Sequence, residues 1–254
     1  MLLKTFDDDG PVLLAVLGRG SQQDSQGQWV LTELFEICDE KGAHLATQLP
    51  ENDDHPNSCI GGSALNVRAG IALYEYFRPA MTVFAYGSRS KYLYDINAPS
   101  ESMVMTDEFL KLMEAEANPP QVDIFDETAW DKTNAGTNQE LRNIFALALQ
   151  FGIKNVAIVT VAVHAARTAL MIEGHLQDPA FVGQIFPQLY VTEEILEQAD
   201  PMHYAGLFEK SVTSKSFVRT FRREIGFGGI YPRGGLNAYF AGVMQTASST
   251  IVSR

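Results

Sequence analysis

Three observations predict an α/β fold of three layers built on a mainly parallel, doubly wound sheet. Short apolar runs at Val12 to Leu17, Met81 to Tyr86, Val122 to Phe125 and Val156 to Val161 have the length and unbroken hydrophobicity of strands buried on both faces. Helix-compatible segments separate them, so strand and helix alternate through the middle of the chain. That order joins neighbouring parallel strands through right-handed crossovers. The 254 residues, 46% of them hydrophobic, suffice for one large domain with a full core or for two small ones.

The first strand, Val12 to Leu17, ends in a tight turn at Gly18, and a first helix is expected near Val30. Between Lys41 and Ser63 the run LPENDDHPNSCIGGS has the Pro, Asn, Asp and Gly content of a long surface loop. A helix from Ala64 to Phe77 leads past Pro79 to the second strand, which Gly87 and Ser88 close. Ser100 is placed to cap a helix from Glu101 to about Ala117, with Met105, Phe109, Leu112 and Met113 on one face. After the third strand, Thr137 and Glu140 match a capping box ahead of the apolar stripe Leu141, Ile144, Phe145, Ala148 and Phe151, and Gly152 ends that helix. The fourth strand runs directly into an alanine-rich helix containing His164. Beyond Gly174 the pattern is less regular: a helix at Thr192 to Gln198, the glycine-rich GFGGIYPRGG, and a C-terminal helix from about Leu236.

Composition narrows the function classes. With 31 acidic and 19 basic residues the formal charge is -12, which repels nucleic acid and anionic membrane surfaces unless a basic patch overrides it. Arg219, Arg222 and Arg223 have the helical spacing of a solvated or ion-paired face, not of such a patch. Cys38 and Cys59 are too few and too isolated for a disulfide framework or a thiolate zinc site, which points to a reducing compartment. The opening MLLKTFDDDG meets an aspartate run before a signal-like core develops, and no segment reaches the roughly 20 apolar residues needed to span a bilayer. A soluble, cytoplasmic protein is expected, with no membrane or nucleic-acid partner; its oligomeric state is left open.

The stretch NVAIVTVAVHAAR, Asn155 to Arg167, carries the strongest functional signal. In an open parallel sheet ligands bind beyond the carboxyl ends of the strands, which places Thr160, His164 and Arg167 at the rim of that crevice. His164 and Arg167 share a helical face; His164 suits proton transfer near neutrality, and Arg167 suits two-pronged grip on a carboxylate or phosphate. The same pair also fits a helix-end histidine beside a surface arginine. Gly18 and Gly20 could let backbone amides approach an anion with Arg19 adding charge, or simply form a turn, and Gln23 in the third glycine position argues against a dinucleotide fingerprint. Gly61, Gly62 and Ser63 read as an ordinary turn, since no Lys follows as in a P-loop. Glu101, taken alone, is a carboxylate stabilised by a helix start, and Thr137 with Glu140 is explained by capping. No metal site is predicted: His44, His55, Asp53, Asp54 and the aspartates at 7–9 lack zinc or calcium spacing. Ser88 lies in no GxSxG elbow, so no hydrolase triad is proposed.

These elements, in order, carry a resemblance. VLGRG at Val16 to Gly20, Arg68 in a helix, YGS at Tyr86 to Ser88, SE at Ser100 and Glu101, GTNQELRN, and VTVAVHAAR resemble the large bacterial YdcF, SanA and ElyC family, over Val12 to Met171. The family pattern reads LGGG, R, SGG, SEA, E..S.NT.EN and VTS..H..RA. Here LGGG becomes LGRG and SGG becomes GSR. Asp131, or Glu127 under a shifted alignment, stands for the family Glu; Thr137 matches while Gln139 and Glu140 depart, and Val161 replaces a serine. The resemblance implies a Rossmann-like fold, a core over residues 1–175, and an extension over 176–254 that packs on it as a candidate lid. It implies a ligand site of Gly18, Arg19, Gly20, Arg68, Gly87, Ser88, Asp131, Thr137, Thr160 and Arg167, with His164 and Glu101 catalytic. Arg68 could instead pair with a carboxylate at the core edge. S-adenosylmethionine or another nucleotide-like molecule is the ligand class the family suggests, without a defined reaction.

The leading expectation is therefore a small-molecule enzyme, of group transfer or hydrolysis, that binds an anionic or nucleotide-like ligand at the sheet edge. Two other classes stand beside it: a non-catalytic metabolite sensor using the same pocket, and metal-assisted hydrolysis through His44, His55 and nearby aspartates.

Overall fold

The computed structural model describes residues 6, 9–37, 56–114, 121–125 and 131–228. Five parallel strands form the central sheet: β1 (Val12–Val16), β6 (Met81–Phe84), β7 (Val122–Asp123), β8 (Asn155–Thr160) and β9 (Phe186–Val191), in the spatial order β7-β6-β1-β8-β9. Two small antiparallel pairs stand apart from it, β2 (Ser21–Gln23) with β3 (Trp29–Leu31), and β4 (Phe35–Ile37) with β5 (Ser58–Ile60). Nine helices are described: α1 (Ser63–Phe77), α2 (Lys91–Asp95), α3 (Glu101–Leu112), α4 (Thr137–Gln150), α5 (Ala162–His175), α6 (Thr192–Ala199), α7 (Pro201–Tyr204), α8 (Leu207–Val212) and α9 (Lys215–Gly228).

Alternation along β1 divides the core into the expected layers. Val12, Leu14 and Val16 point to one face, where they join Leu73 of α1, Phe109 of α3, Leu196 of α6 and Phe217 of α9. Leu13, Ala15 and Leu17 point to the other and join Leu141, Ile144 and Phe145 of α4 and Ile172 of α5. Strands buried on both sides must be apolar at every position, which is why VLLAV and NVAIVT read as continuous runs. The chain lays β6 and β7 on one side of β1, then returns to place β8 on the other. In an open parallel sheet such a reversal parts the connections at the carboxyl ends of the two strands that flank it, here β1 and β8, which is where ligands bind.

Residues after 175 are built into this core. β9 pairs with β8 along its whole length, from Asn155 with Phe186 to Thr160 with Val191. Thr192 donates to Asn66 Oδ1 at 2.6 Å, and Asn66 Nδ2 in turn donates to the carbonyl of Leu17 at 2.7 Å, so α6 is wired through α1 to the end of β1. The C-terminal helix expected from Leu236 lies outside the described residues, as do His44, Asp53, Asp54 and His55.

Three local expectations are corrected. No helix begins near Val30: Asp24 Oδ1 accepts from the amides of Gln26 and Gln28 at 2.8 and 2.9 Å, Gly27 takes a left-handed φ of 78°, and this turn folds Trp29–Leu31 back on Ser21–Gln23. Thr137 and Glu140 form no capping box, because α4 starts one residue earlier than that pattern requires, with Gly136 as its cap. Cys59 is disulfide-bonded and not an isolated thiol, which removes the basis for inferring a reducing compartment. Among the described residues no helix is long and apolar enough to cross a membrane.

Candidate functional site

The loop after β1 and the starts of four helices, α1, α3, α4 and α5, meet beyond the carboxyl ends of the strands. Ser100 caps α3 by accepting from the Met103 amide at 3.1 Å, which fixes Glu101 as the first helical residue and turns its carboxylate onto the β1 loop. Gly18 makes that approach feasible, since a Cβ there would stand 2.4 Å from the Glu101 carboxyl carbon. The Gly20 amide donates to Glu101 Oε1, and Ser63 Oγ donates to the same oxygen at 2.9 Å while accepting from the Arg19 amide at 2.7 Å. Ser63, first residue of α1, thus belongs to this cluster, where the glycine pair beside it suggested only a turn. Gly61 and Gly62 do not cradle a ligand: the space next to each is filled by Thr32 and Glu33, and by Val161.

A second carboxylate, Glu140, sits beneath this layer at 9% exposure. Gly87 leaves room for it, a Cβ there lying 3.4 Å from Glu140 Cβ. Burial and then the nearby charge of Glu101 raise its pKa to about 8, opposed by the backbone amides of Tyr86 and Gly18 and by the positive charge of Arg167. Glu140 is therefore a neutral carboxylic acid at pH 7, and its Oε1 is buried without a hydrogen-bond partner. Only the correct helix start reveals it, because a Thr three residues ahead of a Glu supports capping equally well in sequence.

His164, in the first turn of α5, is buried to 2% exposure. Its Nδ1 lies 3.3 Å from Thr160 Oγ1, and its Nε2 lies 3.3 Å from Thr137 Oγ1 and in contact with the Arg167 guanidinium. Arg167 also donates to Thr137 Oγ1 at 3.3 Å. A guanidinium can only donate, so Nε2 carries the lone pair and the proton resides on Nδ1, directed at Thr160. Burial first, then the charges of Arg19 and Arg167, hold the imidazole pKa well below its ordinary value. His164 is thus a neutral acceptor flanked by two cations.

The structure brings together Gly18, Arg19, Gly20, Gly87, Glu101, Thr137, Thr160, His164 and Arg167. It does not bring Arg68 or the Asp131 carboxylate into the cluster. Arg68 is held by Glu33 through paired bonds of 3.2 and 3.0 Å on an exposed part of α1, the alternative its sequence position allowed. Asp131 folds its own loop, accepting from the Thr133 amide and hydroxyl at 2.8 and 2.7 Å and from Asn134, and these bonds lower its pKa. Ser88 serves the same loop by accepting from the Asp131 amide at 2.7 Å. No protein-family model, curated protein or solved structure matches the chain.

Proposed function

We propose that the chain is a small-molecule enzyme, of the YdcF-like kind its motifs resemble, that binds an anionic ligand between β1 and β8 and catalyses hydrolysis or group transfer. The observation that carries this reading is the meeting, beyond the carboxyl ends of the strands, of an anchored carboxylate and a buried neutral acid at Gly18 with a neutral imidazole and a guanidinium at Thr137. Arg167 supplies planar, two-pronged recognition of a carboxylate or phosphate. Moving that guanidinium onto a ligand anion frees His164 Nε2 to accept a proton, so ligand binding and proton transfer are coupled at one contact. A nucleotide-like ligand such as S-adenosylmethionine would be gripped through an anionic end. The turn after β6, Ala85 to Ser88, offers no carboxylate for ribose hydroxyls, which favours the anion as the recognised feature.

The sensor reading has one observation in its favour: both ring nitrogens of His164 are already engaged by protein groups. The two readings separate experimentally. Mass spectrometry of molecules that copurify with the full chain is expected to find an anionic metabolite that Arg167→Ala loses. Turnover of that metabolite that falls on the order of 10²-fold or more in His164→Ala supports the enzyme. Binding without turnover, tolerant of His164→Gln, supports the sensor. A metabolite retained undiminished by Arg167→Ala overturns both.

A further inference from the structure

We infer that Glu140 is the proton donor of this site, delivering its carboxylic proton to the oxygen that leaves from a phosphate ester whose anionic end Arg167 holds, while Glu101 takes the proton of the attacking water. The inference rests on the enzyme reading above and names the substrate class and the two acid-base partners.

Geometry carries it. The side chain of Glu140 is enclosed by Gly87 and by the β1 loop, yet its Oε1 makes no hydrogen bond, an arrangement that costs stability and leaves that oxygen to meet a ligand. Glu101 lies against the same glycine, Gly18, whose amide faces Glu140. The two carboxyl groups thus flank one point of backbone, and a like charge that close favours a single shared proton. Glu101 is held as an acceptor by the Gly20 amide and Ser63 hydroxyl, which assigns the proton to Glu140. Two guanidinium groups, Arg19 and Arg167, act on His164, and the amino-terminal ends of α1, α3, α4 and α5 open on the same edge, a setting suited to a dianion.

The step balances. The water oxygen forms a bond to phosphorus as one of its protons passes to Glu101. The bond from phosphorus to the leaving oxygen breaks with its electron pair on that oxygen, which takes the Glu140 proton and departs as an alcohol. Glu140 is left anionic beside Arg167, and the proton gained by Glu101 returns to it, restoring the starting pair.

Leaving-group dependence tests the assignment on the full chain. Phenyl phosphate needs a proton on its departing oxygen, whereas 2,4-dinitrophenyl phosphate does not. Glu140→Gln is expected to slow the first by about 10²-fold or more and the second by less than about tenfold, while Glu101→Gln slows both. In wild type the rate with phenyl phosphate should fall as pH rises through about 8, and Glu101→Gln, which removes the neighbouring like charge, should move that fall to lower pH. The pH profile of wild type serves if Glu140→Gln does not fold. Equal losses on both esters, or no alkaline fall with phenyl phosphate, overturn the donor role and leave the enzyme reading standing. Wild type that turns over neither ester, while an anion still copurifies through Arg167, overturns the phosphate-ester assignment alone. Absence of any Arg167-dependent ligand removes the enzyme reading and this inference together.

Discussion

Two buried glutamates in this molecule are treated in opposite ways. Glu193, in the first turn of α6, is fully enclosed, and both of its oxygens are satisfied: Oε2 accepts from the Ala162 amide at 2.9 Å and Oε1 from Ser211 at 2.8 Å. It caps α5 from a distant element, because Val161 at the helix start provides no side-chain cap. Glu140 is enclosed to a similar degree, yet one oxygen has no partner and the nearest carboxylate is Glu101. Burial raises the pKa of both. What separates the two is therefore not burial or titration but whether the fold has answered the hydrogen-bonding capacity of the acid.

Substitutions can sharpen that contrast. The largest effect is expected at Glu193: changing it to Ala removes the buried carboxylate that accepts from the Ala162 amide and the Ser211 hydroxyl, at a cost of about 2–4 kcal/mol in urea unfolding. An unchanged midpoint would show that the α5 cap is dispensable. Next comes Gly18→Ala, whose methyl group would displace the Glu101 carboxylate. Because that carboxylate is the end of a flexible side chain, stability should change by under about 1 kcal/mol, while turnover of the copurifying ligand falls on the order of 10²-fold. Comparable losses in both measurements would contradict a role confined to the site. The smallest effect is expected at Arg68→Ala, which removes a half-exposed pair with Glu33: about 0–1 kcal/mol of stability, and no change in ligand affinity by calorimetry. Lost affinity would return Arg68 to the site.

How much of this was legible in the sequence differs by element. β1 and β8 announced themselves because strands covered on both faces must be uniformly apolar, and His164 with Arg167 could be paired because helical spacing alone sets their distance. The hairpin of β2 and β3 was hidden in a polar stretch, since its signal is one Asp side chain turning on a left-handed glycine. Glu140 was misread for a subtler reason. A capping box and a free acid one turn into a helix share the same letters, and a one-residue shift of the helix start decides between them. Arg68 and Asp131 each had a plausible ligand role and a local partner. Tertiary placement decides for Arg68, which Glu33 holds from 35 residues away, and the local turn with Thr133 and Asn134 decides for Asp131.

The claim that Glu140 is held for function at the expense of stability is tested most directly by unfolding wild type and Glu140→Gln across the pH range. A carboxyl whose pKa rises from 4.5 to about 8 on folding keeps its proton in the native state after the unfolded chain has released it, so wild type loses stability as pH climbs through that window and levels off above it. The glutamine variant has no such penalty. It should match or exceed wild type in stability near pH 5 and pull progressively ahead up to about pH 8. A variant less stable than wild type at every pH, with no widening gap, would show that the fold does not carry Glu140 as a costly neutral acid and contradict the account.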